Sequence, residues 1–345
     1  MILVTGGAGF IGSVLVKTLN LLGHSQIVIV DKLEDSIKWK NLRGLKYLEY
    51  IHADELFSGD YDDLISDSDV IFHIGACSST TEKNMDFLMK NNVAYTQALF
   101  RFAATKNIPF IYASSAATYG AGELGYDDDE KKLSSLMPLN PYGYSKQLVD
   151  EWILRQESKP DHWFGLKFFN VYGPNEYHKE DMRSLVHKAY EQINASGVVK
   201  LFKSHRPDFK DGEQLRDFIY AKDVVRAMLE LANPSSASAS GIYNMGTGKA
   251  RSFYDLVAAT FRAMGKKPNI EFIDMPESIR HQYQYYTQAN MTKFKSILPE
   301  FTFTSLEDGV DDYVKNYLMK ENPHFYKPRG WLSRFCEKLF KNFGT

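Results

Sequence analysis

The chain has 345 residues, of which 44% are hydrophobic and 24% are charged, and its 41 Lys and Arg residues against 43 Asp and Glu residues give a net charge of −2. This composition excludes a collagen-like, coiled-coil or wholly disordered chain, and the charge balance argues against a nucleic-acid-binding protein. Two cysteines, Cys77 and Cys336, are too few for a disulfide framework and indicate a reducing compartment. The sequence contains neither a signal-peptide pattern nor a run of about 20 apolar residues, so we expect a cytoplasmic protein.

Short apolar runs alternate with helical patterns through the first 170 residues. The predicted strands are Ile2–Gly6, Ile27–Asp31, Val70–His73, Phe110–Ala113 and Gly165–Phe169, and the predicted helices are Phe10–Leu22, 84–106 and 143–157. Apolar strands separated by helices are typical of an α/β fold with a parallel, doubly wound (Rossmann) sheet. The ligand crevice of such a sheet lies at the carboxyl ends of its strands.

The pattern changes after Asn170, which indicates a second, smaller domain. The later predicted elements are a helix at about 181–195, a strand followed by a helix in Asp217–Ala232, a strand at Ile242–Gly248 and a helix at 252–264. We assign 1–170 and about 216–248 to a Rossmann domain, and 171–215 and about 249–322 to a mixed α/β substrate domain.

The segment 323–345 forms a basic tail. Leu332, Phe335, Leu339 and Phe343 recur there at helical spacing, and five Lys and Arg residues accompany one Glu. The pattern predicts an amphipathic helix, which can lie on an anionic membrane surface or pack against its own subunit or a neighbour. Packing is the favoured interpretation, because the apolar stripe is short.

A glycine-rich turn follows the first predicted strand. Gly6, Gly9 and Gly12 stand in TGGAGFIG with the spacing of a dinucleotide-binding loop. Such glycines allow the tight turn, let the backbone approach a pyrophosphate and bring the next helix against the sheet. A helix that starts at Phe10 offers free N–H groups and a positive dipole to the phosphates. The motif predicts a bound NAD or NADP.

The choice between NAD and NADP depends on the end of the second strand. Asp31 stands where such folds bind the ribose hydroxyls of the adenosine half, which favours NAD. Lys32 and Lys38 follow it and could neutralise a 2′-phosphate, which favours NADP. The residues alone leave both cofactors open.

Tyr142 and Lys146 in NPYGYSK are the candidate acid–base pair. They lie four residues apart and so share one face of a helix that Pro141 would begin. A nearby ammonium and a helix N-terminus favour the phenolate, which makes Tyr142 a usable general base at neutral pH. Ser115 stands upstream at a predicted strand end, where its hydroxyl can hydrogen-bond the substrate oxygen during hydride transfer.

These motifs, together with GACSSTT, SSAATYG and FFNVYGP, resemble the extended short-chain dehydrogenases/reductases, which include sugar-nucleotide epimerases and dehydratases. Dehydratases of this family carry Asp-Glu directly after the catalytic hydroxyl residue. Here Ala116 and Ala117 follow Ser115, so the resemblance favours epimerisation or simple oxidoreduction.

Longer strings, among them HIGACSSTTE, NVYGPNEYHK and YYTQANMTKF, resemble the members of this family that epimerise carbon 6 of ADP-glycero-manno-heptose. The resemblance implies tightly bound NADP, an ADP-heptose substrate inverted from D-glycero to L-glycero, a role in lipopolysaccharide inner-core synthesis, and a homo-oligomer that is a pentamer. The alternatives are epimerisation at carbon 4 with NAD and a non-catalytic cofactor-binding protein.

The resemblance also assigns individual residues. Tyr142 matches the first acid/base and Lys179 the second, with Lys146 and Ser115 beside the first. The cofactor contacts are Gly6, Gly9, Phe10, Ile11, Gly12, Asp31, Lys32, Lys38, Ile74, Gly75, Ala76, Cys77, Ser78, Asn91, Lys146, Val171 and Lys179. The substrate contacts are Ser115, Asn170, Asp181, Lys188, Phe202, Ser204, Arg216 and Tyr283.

Two segments depart from the family pattern. Glu180 and Asp181 stand where relatives have a small pair such as Gly-Ser, and the segment 203–215 is longer than in the shortest members. The longer segment weakens the assignment of Ser204. No spaced set of His, Cys and carboxylate residues predicts a metal site.

Overall fold

A computed structural model describes residues 1–233, 240–280 and 283–324 of the chain. The strands are β1 (Ile2–Thr5), β2 (Ile27–Asp31), β3 (Glu49–His52), β4 (Val70–His73), β5 (Phe110–Ser115), β6 (Trp163–Phe168), β7 (Asn170–Tyr172), β8 (Val199–Phe202), β9 (Leu215–Tyr220), β10 (Gly241–Met245), β11 (Ala250–Ser252) and β12 (Ile270–Ile273). The helices are α1 (Phe10–Leu21), α2 (Asp62–Ser66), α3 (Met85–Leu88), α4 (Tyr95–Lys106), α5 (Pro141–Arg155), α6 (Leu185–Ala195), α7 (Ala221–Ala232), α8 (Phe253–Ala263), α9 (Glu277–Arg280), α10 (Thr292–Ile297) and α11 (Leu306–Tyr313).

Residues 325–345 of the predicted amphipathic tail lie outside the described residues. Within the ranges that the structure describes, no helix combines the length and apolar character needed to cross a membrane.

Seven strands form the central sheet in the order β10-β6-β5-β4-β1-β2-β3, and all neighbours are parallel. β1, β2 and β4 are buried along their whole length, as their unbroken apolar runs predict. The predicted parallel, doubly wound sheet is therefore confirmed. The strand order reverses between β1 and β4, and the ligand crevice of this fold lies at such a reversal.

Two hydrophobic cores stabilise the chain. The larger core covers the central sheet and includes buried side chains of α1, α4, α5 and α7. The smaller core joins α6, α8 and α11 to β8 and β9. Two small sheets accompany it, one in the order β11-β9-β7 and one that pairs β12 with β8.

The segment 289–303 lies in a different core from the one that the sequence predicts. The sequence assigns it to the substrate domain, whereas its buried Phe294 and Phe301 belong to the larger core. Arg226 of α7 stacks 4.2 Å from the centre of the Phe301 ring, and Lys293 Nζ donates to the Ile242 carbonyl oxygen of β10 at 2.9 Å. These contacts place the segment 289–303 in the larger core, although the chain before and after it contributes to the smaller core.

The start of α5 fixes the position of Tyr142. Asn140 caps the helix, because its Oδ1 accepts a hydrogen bond from the Gly143 nitrogen at 2.8 Å, and Pro141 occupies the first turn. A Cβ on Gly143 would lie 2.7 Å from the Ala117 carbonyl oxygen, so the helix approaches the strand-end loop closely. Tyr142 consequently faces the carboxyl end of the sheet.

We expect the change Asn140→Ala to lower the free energy of unfolding by about 1 kcal/mol, because it removes the cap of α5. Urea denaturation followed by circular dichroism measures the change. Asp129→Ala is the control, since Asp129 caps only the short, largely exposed turn Glu130–Ser135. Equal midpoints for Asn140→Ala and the wild-type protein would contradict the role of this cap.

Candidate active site

The glycine loop after β1 packs against the end of β4. Gly6 has a φ of +69°, and a Cβ there would lie 2.6 Å from the Gly75 nitrogen. A Cβ on Gly12 would lie 2.1 Å from the Gly6 carbonyl oxygen. Both contacts are with backbone atoms, which cannot move aside, so these two positions require glycine. A cavity of about 410 Å³ opens in front of this loop and the start of α1.

This first cavity brings together most of the predicted cofactor contacts. Its lining includes Gly6, Gly9, Phe10, Ile11, Gly12, Asp31, Lys38, Ile74, Gly75, Ala76, Cys77, Ser78, Lys146 and Lys179. Tyr142 and His178 line it as well, whereas Lys32 and Asn91 do not, and Val171 lines a second cavity. The lining fits a nicotinamide dinucleotide, because a glycine backbone without side chains and a helix N-terminus face the space that a pyrophosphate needs.

Asp31 lies at one end of the first cavity, and both of its carboxylate oxygens accept hydrogen bonds. Its Oδ2 accepts from the Ala8 nitrogen at 2.8 Å, and its Oδ1 accepts from the Lys32 nitrogen at 2.7 Å and from Lys38 Nζ at 2.8 Å. Lys38 therefore neutralises the carboxylate where a ribose would bind. The Lys32 ammonium instead pairs with Asp54 at 2.6 Å. The two lysines that the sequence predicts as cofactor contacts therefore pair with different carboxylates in the structure.

Asn92 holds the loop after β4 and adjoins Asn91, which the resemblance assigns to the cofactor. Asn92 Oδ1 accepts from the Cys77 nitrogen at 2.8 Å, and its Nδ2 donates to the Cys77 carbonyl oxygen at 3.0 Å and to Ser145 Oγ at 3.1 Å. Asn91 contacts this group only through Asn92, at 3.2 Å. The two residues lie in a π-helical turn, Met89–Ala94, in which one extra residue per turn changes which side chain faces the loop.

A second cavity of about 410 Å³ adjoins the first. The residues that line both cavities are Phe10, Ile11, Ser78, Tyr142, Phe168, Lys179 and Met182. Ser115 and Asn170 line the second cavity and not the first. Tyr142 and Lys179, the two candidate acid/base residues, therefore line both cavities.

Burial dominates the electrostatics of the Tyr142 pair. Burial raises the pKa of Tyr142, and a hydrogen bond with the Ser115 side chain opposes the rise. Lys146 Nζ donates to the Ala113 carbonyl oxygen at 2.8 Å, and burial lowers the pKa of Lys146 to about 8 while the Asp150 carboxylate opposes this change. The sequence predicts a phenolate favoured by Lys146. In this structure the loss of water around the phenol outweighs that effect.

A buried carboxylate lies behind this pair. Asp150 follows Lys146 by one turn of α5, and its oxygens accept from Tyr112 Oη at 2.9 Å, Ser114 Oγ at 2.7 Å and Lys167 Nζ at 2.7 Å. The side chains of Asp150 and Lys167 are 0% and 1% exposed. This network fixes α5 to β5 and β6, and so fixes the helix that carries the candidate base.

Lys179 projects from the 3₁₀ turn Tyr177–Met182. Its Nζ lies 5.7 Å from the centre of the Phe10 ring, at the amino end of α1. Burial lowers the pKa of Lys179, and the Glu176 carboxylate opposes this decrease. Glu180 follows with a φ of +45°, a conformation that favours glycine, where relatives have a small residue.

The turn that carries Lys179 is tied to the glycine loop. Asn175 Nδ2 donates to Ser13 Oγ of α1 at 2.9 Å. Asn41 Nδ2 lies within hydrogen-bonding distance of the Ala8 carbonyl oxygen, at 3.0 Å, and of the Asn175 carbonyl oxygen, at 3.2 Å. The second candidate acid/base is therefore anchored to the loop that would hold the cofactor phosphates.

The predicted substrate residues fall into two groups. Ser115 and Asn170 line the second cavity, whereas the rest do not: Asp181, Lys188, Phe202, Ser204, Arg216 and Tyr283. The Arg216 guanidinium donates to the carbonyl oxygens of Leu215 and Gln284, and lies 5.4 Å from the centres of the Phe253 and Tyr283 rings. Since Phe253 and Gln284 line the second cavity, Arg216 lies just behind its wall.

The other substrate candidates make contacts outside the cavity. Lys188 Nζ donates to the Asp181 carbonyl oxygen at 2.6 Å, and both residues are exposed or partly exposed. The Ser204 nitrogen donates to Asp211 Oδ1 at 2.7 Å within the longer segment 203–215. The Phe202 ring lies 6.3 Å from that of Tyr283.

Sequence reasoning missed four residues that shape the site, namely Asn92, Asp150, Glu176 and His178. His178 lines the first cavity, and burial lowers its pKa to about 4, so the ring is neutral at physiological pH. Glu176 and His178 could have been found from their place in NEYHK beside Lys179, and Asp150 from its helical spacing to Lys146. Among the described residues, no group of three or more His, Cys, Asp or Glu side chains could hold a metal ion.

Comparisons with known proteins identify the family. Residues 2–246 match the model of the NAD dependent epimerase/dehydratase family. An ADP-L-glycero-D-manno-heptose-6-epimerase of Nitratidesulfovibrio vulgaris is 52% identical over 326 residues, which are 94% of this chain and 100% of that protein. The protein of the same name from Fusobacterium nucleatum is 52% identical over 334 residues, with the same shares of the two chains.

A solved structure agrees with these relatives. The crystal structure of Helicobacter pylori ADP-L-glycero-D-manno-heptose-6-epimerase superposes with a TM-score of 0.77 at 34% identity, covering 91% of this chain and 94% of that one. The similarity thus extends over both cores and not only over the glycine loop. The chain belongs to the NAD dependent epimerase/dehydratase family, in the group of its ADP-L-glycero-D-manno-heptose-6-epimerases.

Proposed function

We propose that the protein inverts carbon 6 of ADP-glycero-manno-heptose from the D-glycero to the L-glycero configuration, through transient oxidation and re-reduction with a bound nicotinamide cofactor. The observation that carries the proposal is the position of Tyr142 and Lys179, which both border the two adjoining cavities. Relatives that are 52% identical bear the name of this activity. The product would enter lipopolysaccharide inner-core synthesis.

Inversion without net oxidation needs two proton-transferring groups. The residues of the first cavity would hold the nicotinamide, which would supply the hydride acceptor and donor for carbon 6. Burial raises the pKa of Tyr142, and the positive charge of an oxidised nicotinamide would oppose that rise and favour the phenolate. As the phenolate, Tyr142 removes the hydroxyl proton in the first half-reaction, while Ser115 hydrogen-bonds the same oxygen. The carbon-6 ketone must then present its opposite face, which moves its oxygen away from Tyr142. Lys179, as the ammonium, donates the proton to that oxygen in the second half-reaction.

The direct test is incubation of the purified protein with ADP-D-glycero-D-manno-heptose. Proton NMR of the heptose is expected to show an equilibrium mixture of the two carbon-6 epimers, with no net formation of reduced cofactor. An unchanged ADP-heptose, or inversion of a carbon-4 substrate instead, would contradict the proposal.

Tyr142→Phe is expected to lower kcat by about 10²–10⁴-fold, because it deletes the titrating hydroxyl and keeps the ring. Epimerisation followed by NMR, with cofactor content measured in parallel, checks this result. Tyr144→Phe is the matched control, since Tyr144 lies on the same helix with its side chain largely exposed. Turnover of Tyr142→Phe close to that of the control would remove Tyr142 from the mechanism.

Lys179→Met is expected to reduce epimerisation by a similar factor of about 10²–10⁴ while the protein keeps its cofactor, because the ketone then lacks its proton donor. Lys200→Met is the control, as Lys200 is exposed on β8 and pairs only distantly with Glu271, at 3.9 Å. If both variants epimerise at the wild-type rate, Lys179 is a structural lysine.

We also infer that the bound cofactor is NADP. The support is Lys38, whose ammonium lies at the ribose end of the first cavity and neutralises Asp31. An ammonium there suits a 2′-phosphate, and the Asp31 carboxylate alone would repel one.

Lys38→Ala is expected to lower the ratio of NADP to NAD in the purified protein by about tenfold or more, the effect of losing one charge-assisted contact of about 1.5–3 kcal/mol. Chromatography of the nucleotides released on denaturation measures this ratio. Lys40→Ala is the control, since Lys40 lies two residues further along, with its ammonium 5.9 Å from the Trp39 ring. A chain that carries only NAD before any substitution would overturn the inference.

A further inference from the structure

Glu176 is a carboxylate buried between the turn that carries Lys179 and the start of α6. It is 1% exposed. Its Oε2 accepts from the Ser184 nitrogen at 2.6 Å, and its Oε1 accepts from Ser184 Oγ at 2.6 Å. Burial raises the pKa of Glu176, and the hydrogen bonds from Ser184, with the nearby Tyr313 of α11, oppose that rise. Both oxygens are thus held by short hydrogen bonds, which compensate part of the cost of burying the charge.

Glu176 is directly connected to Lys179. The Lys179 nitrogen donates to the Glu176 carbonyl oxygen at 3.0 Å, so the two residues close a single turn. Both residues line the second cavity. A change in the position of the Glu176 carboxylate would therefore move the turn from which Lys179 projects.

The charge of Glu176 also acts on Lys179. Burial disfavours the ammonium and lowers the pKa of Lys179, and among the described residues Glu176 is the carboxylate that opposes this decrease. Two further groups that line the first cavity with Lys179 can carry a negative charge, namely the exposed Glu180 carboxylate and, in the proposed reaction, the Tyr142 phenolate of α5. His178 is neutral, and the guanidinium of Arg183 pairs with the exposed Glu191 at 2.7 Å.

We propose that Glu176 is a positioning residue for the epimerisation, which fixes the turn of Lys179 to the start of α6 and supplies the counter-charge that keeps the Lys179 ammonium protonated. This inference rests on the proposed function, in which Lys179 is the second acid/base. A carboxylate with a merely structural role would not change the pH at which Lys179 loses its proton.

The test is the pH profile of kcat for epimerisation by the cofactor-loaded protein. The alkaline limb of the profile reports loss of the Lys179 proton. Glu176→Gln keeps an acceptor for Ser184 but removes the charge, so the limb is expected to move to lower pH by at least about 0.5 units. Glu191→Gln is the matched control, because it removes an exposed carboxylate that pairs with Arg183 and not with Lys179. Its profile is expected to match that of the wild type.

A second variant separates the two parts of the proposal and does not depend on whether Glu176→Gln folds. Glu176→Asp keeps the charge and withdraws the carboxylate from Ser184 by one methylene. We expect its alkaline limb to stay within about 0.3 units of the wild-type limb, because the charge remains, while kcat falls at least about tenfold, because the turn is displaced. A wild-type kcat in Glu176→Asp overturns the positioning role, and an unmoved limb in a folded Glu176→Gln overturns the counter-charge.

Failure of this inference is distinguishable from failure of the proposed function. If Lys179→Met is inactive and both Glu176 variants behave as the wild type, Lys179 remains the second acid/base and only the role of Glu176 is rejected. If Lys179→Met epimerises normally, the proposed function of Lys179 is rejected and the inference on Glu176 falls with it.

Discussion

The buried ion pair between Asp150 and Lys167 is the interaction on which the acid–base part of the site depends. Asp150 belongs to α5, Lys167 to β6, and the same carboxylate accepts from Tyr112 and Ser114 of β5. Breaking such a pair from one side leaves an uncompensated charge in the core, so the three elements are held in one arrangement. Tyr142 projects from α5 and Ser115 from β5, so the same network fixes the position of these two side chains relative to each other.

Three buried or half-buried lysines near the site have their ammonium groups stabilised in three different ways. Lys167 is neutralised by a direct ion pair, Lys146 donates to a backbone carbonyl with Asp150 nearby, and Lys179 has the Glu176 carboxylate within its own turn. An ammonium removed from water requires a partner, and the nature of that partner decides how easily the proton leaves. Lys167 is therefore suited to a structural role, whereas Lys146 and Lys179 are suited to roles in the reaction.

Much of the fold and the cofactor side of the site followed from the sequence, because the glycine loop and the strand ends are local motifs that a parallel sheet brings to one edge. Other features depend on tertiary contacts. The strand β3 buries only Ile51 at the sheet edge and has no apolar run to reveal it. The hydrogen bond of Asn92 to the loop after β4 lies in a π-helical turn, which the sequence pattern does not reveal, and Ser204 of the longer segment 203–215 does not line the second cavity.

The hydrogen bonds that tie the turn of Lys179 to the glycine loop have a thermodynamic consequence. Asn175 and Asn41 connect that turn to Ser13 and Ala8, so any ordering of the glycine loop by a dinucleotide is shared with the second cavity. Linkage is reciprocal, so in the proposed function a substrate bound against Lys179 and a dinucleotide bound at the glycine loop would each change the affinity for the other by the same free energy.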